Sequence, residues 1–72
     1  MNVIEVKKRN LELGITAKDW AKCLGLTQQM AYKKISGKSP LTLEQASKVQ
    51  KLLKIEDKDF AFYFMEGYSR VS

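Results

Sequence analysis

The stretch Ile15-Thr16-Ala17-Lys18-Asp19-Trp20-Ala21-Lys22-Cys23-Leu24-Gly25-Leu26-Thr27-Gln28-Gln29-Met30-Ala31-Tyr32-Lys33-Lys34-Ile35-Ser36-Gly37 decides the fold. Thr16 is a good helix N-cap, and Asp19, three positions later, resembles the reciprocal member of a capping box. Ala17, Trp20, Ala21 and Leu24 then fall at i, i+3, i+4 and i+7, which predicts a short helix over 17–24 with Trp20 in the core. Cys23 lies near the same apolar side and reads as core. Gly25 ends this helix, and only Gly25 and Leu26 precede Thr27, the next N-cap. A second helix follows over 28–36, closed by Gly37. So short a turn forces the two helices into close contact at a steep angle. Ala21, four positions before Gly25, is small where they cross, and Gly25 supplies a left-handed backbone at little steric cost.

The same signals extend outward in both directions. Val3, Val6, Asn10 and Leu13 share a helical face, with Ile4 and Leu11 beside it, and Gly14 stops the pattern, which predicts a helix over about 2–13. Gly37-Lys38-Ser39-Pro40-Leu41 is a loop, and Thr42-Leu43-Glu44-Gln45 is a capping box opening a helix that runs to about 54. Its stripe is Ala46, Val49, Leu52 and Leu53, with Lys48, Lys51 and Lys54 left in water. The acidic cluster Glu56-Asp57-Lys58-Asp59 suits the positive end of a fifth helix. In Phe60-Ala61-Phe62-Tyr63-Phe64-Met65 both a helix, pairing Phe60 with Phe64, and a strand, aligning Phe60, Phe62 and Phe64, can be drawn. The preferred reading is a helix over 57–64 and an extended tail over 65–72. The expectation is one all-α domain spanning 1–72, a compact bundle of four to five short helices containing a helix-turn-helix.

Composition narrows the function. Seventy-two residues suit one modest core, which buries roughly 60% of the unfolded surface. No histidine is present, and no acid/base dyad, phosphate-cradling glycine loop or metal set is visible in the sequence, so an enzyme is not expected. Cys23 stands alone, without a disulfide or zinc partner, which fits a reducing cytoplasm. No cofactor, small-molecule ligand, secretion signal or membrane span is expected. Residues 1–42 hold eight basic and three acidic side chains, whereas 43–72 hold five of each, so the net charge of +5 belongs to the first part of the chain. A field of that kind suits a polyanion such as nucleic acid.

In a helix-turn-helix the second helix enters the major groove of double-stranded DNA. The exposed face of the 28–36 helix carries Gln28, Gln29, Tyr32, Lys33 and Ser36, with Met30 at the border. Glutamine can bond adenine N6 and N7 bidentately. Tyr32 either covers a neighbouring side chain or meets a thymine methyl or a phosphate. Lys33 should face DNA, while Lys34 lays its stem on the core and projects its ammonium outward. The Lys7-Lys8-Arg9 run reads as a solvated helix face.

On these residues the chain resembles the Cro/C1-type helix-turn-helix family of phage repressors and related bacterial regulators, with its lambda-repressor-like fold. The resemblance covers Val6 to about Phe60. It rests on Leu13-Gly14-Ile15-Thr16, on Ala21 with Leu24-Gly25-Leu26-Thr27, and on Ser36-Gly37-Lys38. The run from Lys33 to Leu43 looks especially like one phage subgroup. It implies base reading by Gln28, Gln29, Tyr32, Lys33 and Ser36, and phosphate binding by Thr16, Ala17, Lys18, Thr27, Lys38 and Ser39. Many members carry Gln where this chain has Ala17, which leaves the orientation of Gln28 without its usual brace. Many also pair Arg with Glu at the positions of Asn10 and Ile35; losing both partners leaves no orphan charge.

The aromatic residues Phe60, Phe62, Phe64 and Tyr68 either complete the core or form a dimer interface, and the two-fold dimer is preferred. The function implied is a sequence-specific transcription regulator, a small Cro-like repressor binding a pseudo-palindromic operator as a homodimer, with half-sites about 34 Å apart. The alternative is a protein-interaction module or antitoxin-type regulator that uses the aromatic segment to hold a protein partner.

Overall fold

A computed structural model describes residues 1–65 of the chain; Tyr68 and positions 66–72 of the expected tail lie outside the described residues. Among the described residues the structure is all-α: α1 (Val3–Leu13), α2 (Ala17–Leu24), α3 (Gln28–Ile35), α4 (Leu43–Leu52), a 3₁₀ turn (Asp57–Asp59) and α5 (Phe60–Phe64). Each boundary has a local cause. Asn2 stands outside α1 as its N-cap, its side chain accepting from the Glu5 amide at 3.3 Å. Thr27 and Thr42 cap α3 and α4 by accepting from the amides of Met30 and Gln45 at 3.2 and 3.1 Å. Gln45 answers Thr42 by accepting its amide at 3.1 Å, which completes the capping box. Gly25 closes α2 at φ +69°, in the left-handed region where a side chain would be strained.

Helix α3 stops at Ile35 with Ser36 as its C-cap, and α4 stops at Leu52, short of Lys54. The second difference comes from Lys54, which takes a left-handed φ of +54°. The chain turns there, and Ile55 donates back to the Gln50 carbonyl at 3.0 Å. Arg9 steadies this end of α4 by donating to the carbonyls of Leu53 at 2.9 Å and Lys54 at 3.3 Å. Arg9 is therefore a half-buried strap between α1 and α4, not a member of a solvated Lys7-Lys8-Arg9 face.

Helix α2 packs against both α3 and α4, and α1 reaches α3 and α5. The core between them holds Val6, Trp20, Ala31, Ile35, Val49, Leu53 and Phe64. Trp20 is fully buried, and its indole N–H donates to Asn10 Oδ1 at 3.0 Å. That bond explains a polar residue on the inner face of α1: a buried indole needs an acceptor, and Asn10 supplies it. Cys23 is only partly buried, its thiol 3.6 Å from the Lys48 carbonyl at the boundary between α2 and α4. Ile4 and Leu11 lie on the outer face of α1, exposed to 72% and 83%.

Residues 57–64 are helical. A helix sets Phe60 and Phe64 one turn apart, their rings 5.0 Å between centroids, and turns Phe62 to solvent. The Asn2 amide then donates to the Tyr63 carbonyl at 2.7 Å and fastens the start of α1 to α5. Replacing Asn10 by Leu removes the acceptor and strands the Trp20 N–H, which should cost about 1–3 kcal/mol in urea unfolding. An unchanged unfolding midpoint would show that the bond contributes nothing.

Candidate functional site

Helix α3 divides cleanly into two faces. Ala31, Lys34 and Ile35 are buried, whereas Gln28, Gln29, Met30, Tyr32 and Lys33 are exposed. At 100° per residue, the side chains of Gln28, Gln29, Tyr32 and Lys33 project from one side of the helix. Among the described residues none of these four side chains has a hydrogen-bond partner or an ion pair within the chain, so their donors and acceptors are available to another molecule. Tyr32 is 65% exposed. Ser36 differs from the other four: it is half-buried at the C-cap, and its hydroxyl donates to the Lys33 carbonyl at 3.2 Å.

The residues expected to meet phosphate stand in three settings. Thr16 has both of its donors engaged by Asp19, whose Oδ2 accepts from the Thr16 amide at 2.8 Å and from its hydroxyl at 3.1 Å. The amides of Ala17 and Lys18 lie in the first turn of α2, where the helix offers them no acceptor. An anion drawn to those amides shares that end of α2 with the Asp19 carboxylate. Thr27 uses its hydroxyl oxygen to cap α3, and the hydroxyl proton remains free to donate. In the loop after α3, Lys38 is exposed and Ser39 half-buried. No hydrogen bond joins Thr16, Ala17 or Lys18 to Gln28 or Gln29 among the described residues, in keeping with the missing glutamine at Ala17.

Charge follows the same division. The three ion pairs of the described residues are Glu5 with Lys8, Arg9 with Glu12, and Glu44 with Lys48. None lies between Thr16 and Leu41. Lys18, Lys22, Lys33, Lys34 and Lys38 therefore act there against the single carboxylate of Asp19, and their field is not cancelled locally.

Two features were not legible from sequence. The Lys34 ammonium does not project outward; it donates to the Pro40 carbonyl at 2.6 Å in a side chain only 9% exposed. The residues expected at a dimer interface also separate. Phe64 is buried at 6% exposure within the chain's own core, Phe60 is half-buried and Phe62 is 55% exposed. Only helical geometry for 60–64 separates them this way, and the sequence allowed a strand as well. An open apolar cleft of about 440 Å³ lies between Met1, Val3, Leu41, Leu43 and Phe64, with Ser39 and Thr42 as its polar members. No group of three or more His, Cys, Asp or Glu side chains able to hold a metal ion occurs among the described residues, nor does any helix long and apolar enough to cross a membrane.

No family model, curated protein or solved structure matches this chain. The resemblance to the Cro/C1-type family therefore stands on the residues quoted for it.

The Asp19 carboxyl is held below its ordinary value of 3.8, first by the Thr16 amide and then by the Thr16 hydroxyl, against an opposing effect of burial and with lesser help from Lys22 and Lys18. A carboxyl whose folded value is depressed adds stability above its unfolded value, and this is lost as pH falls from about 3.8 through the folded value. Asp19→Asn should therefore lose less stability than the parent over that acid window in pH-dependent thermal unfolding. Identical acid profiles would show that the Thr16 contacts do not favour the ionised form.

Proposed function

We propose that this chain is a sequence-specific double-stranded DNA-binding transcription regulator, a small Cro-like repressor in which α2, the Gly25-Leu26 turn and α3 act as a helix-turn-helix. The observation that carries the reading is the outer face of α3, where Gln28, Gln29, Tyr32 and Lys33 lie side by side with no internal partners. Amides, a phenol and an ammonium match what base edges in the major groove offer: paired acceptor and donor on adenine, acceptors on guanine, a methyl on thymine. That combination coincides with the part of the chain whose lysines outnumber its acids.

In this reading Gln28 and Gln29, at the first turn of α3, read base pairs. Tyr32 packs on a thymine methyl or bonds a phosphate, and Lys33 reaches a base or the backbone. Ser36 is the weakest of the reading set, because its hydroxyl already serves the Lys33 carbonyl. Lys18 and Lys38, the Thr27 hydroxyl and the first-turn amides of α2 hold the phosphates. Phosphate contacts fix register and supply most of the salt-dependent affinity, while base contacts supply choice. A homodimer would present two α3 helices about one helical turn apart to a pseudo-palindromic operator. Of the described aromatics expected at that contact, Phe62 is the most exposed, with Phe64 committed to the core.

Gln28→Ala and Gln29→Ala should each weaken the cognate site by about 1–3 kcal/mol and relax discrimination there, measured by fluorescence anisotropy on cognate and scrambled duplexes. Lys38→Ala should weaken both duplexes alike and lower the salt slope by about one. Equal losses on both duplexes for the glutamine variants would contradict base reading by this face.

A further inference from the structure

We propose that Lys34 is a positioning residue for the phosphate contact of the loop after α3, fixing where that loop offers Lys38 and Ser39; the inference rests on the DNA-binding reading above. The loop folds back onto the end of its own helix. Gly37 donates to the Lys34 carbonyl at 3.2 Å, and Lys38 and Ser39 both donate to the Lys33 carbonyl, at 3.0 and 3.2 Å. With the Ser36 hydroxyl, that one carbonyl accepts three donors. Gly37 sits at φ +81°, and a Cβ there would come within 2.9 Å of Val3 Cγ2, so α1 closes the other side of the turn.

The backbone tie cannot continue past Ser39, because Pro40 has no N–H to donate. Lys34 replaces it from the side chain: its ammonium crosses from the buried face of α3 to the Pro40 carbonyl at 2.6 Å. The loop is thereby held at both ends, by the Lys33 carbonyl through Lys38 and Ser39 and by the Lys34 ammonium through Pro40. An apolar side chain would fill the same space without the cost of burying an ammonium, and no carboxylate among the described residues pairs with Lys34, so what the charge adds at this position is the tie. Because the amides of Lys38 and Ser39 are already used, an anion at the loop is met by the Lys38 ammonium and the Ser39 hydroxyl. Their reach depends on where the loop stands.

A double-mutant cycle tests this without knowledge of the operator. Lys34→Met keeps the stem and removes the donor. It is combined with Lys38→Ala, and all four proteins are titrated with a random-sequence duplex at several salt concentrations. Lys34→Met should melt cooperatively, bind about three- to tenfold more weakly and lower the salt slope by about one. The double variant should lose much less than the two single losses combined, because Lys34 acts chiefly through where the loop holds Lys38. A general loss of structure would not give that coupling. Undiminished binding by Lys34→Met, or losses that simply add, would overturn the assignment. If Lys34→Met does not fold, Lys34→Gln, a neutral donor on a shorter stem, takes its place with the same coupling expected. A parent protein that binds no duplex overturns the DNA reading, and this inference with it. A parent that binds and loses affinity on Lys38→Ala, with additive Lys34 losses, overturns this inference alone.

Discussion

None of these helices can stand alone. The longest, α1, has 11 residues and α3 has eight, whereas isolated helices shorter than about 12–15 residues are marginal in water. Every element is therefore held by what it buries, and the arrangement converges on Trp20. Its fully buried ring lies in the core that α1, α2, α3 and α4 share, and its N–H is satisfied by Asn10 from across that core. The outer face of α3 is presented as a surface only because Ala31 and Ile35 are held inside on the other face. Stability and presentation of the candidate site are thus one problem, solved by the same few side chains.

Residues whose conformation is decided locally were the ones legible in the sequence. Gly25 ends α2 because a left-handed residue suits that turn, Thr27 and Thr42 open helices because their hydroxyls reach the first-turn amides, and the 3.6-residue spacing of Ala17, Trp20, Ala21 and Leu24 gives the buried side of α2. The segment after residue 56 was ambiguous because nearly every side chain from Phe60 to Met65 is apolar, which erases the periodicity that separates helix from strand. Packing decided it, with Phe64 turned into the core and the Tyr63 carbonyl accepting from Asn2. Contacts distant in sequence were out of reach in the same way: nothing local in Arg9 shows that it straps the end of α4, 44 positions away. Lys34 looked like a lysine with a buried stem and a wet head, and only the path of the Pro40 loop provides its acceptor.

The candidate site was more legible than its surroundings, since an exposed helix face is set by periodicity alone. Gln28, Gln29, Tyr32 and Lys33 were expected outside and are outside. The phosphate-facing set is less legible in the sequence, because availability depends on what each donor already holds. Thr16 gives both donors to Asp19, while the Lys38 ammonium remains uncommitted in a loop whose backbone is tied to the end of α3. In the proposed regulator this separates two tasks: α3 reads, and the turns at either side of it grip.

The most direct test of the regulator reading is selection of duplexes from a randomised pool by the purified protein at about 150 mM salt, where non-specific phosphate binding is weakened. Enrichment of an inverted repeat with half-sites about one helical turn apart is the result expected of a dimer that reads bases with α3. A folded protein that enriches no sequence at all would contradict it.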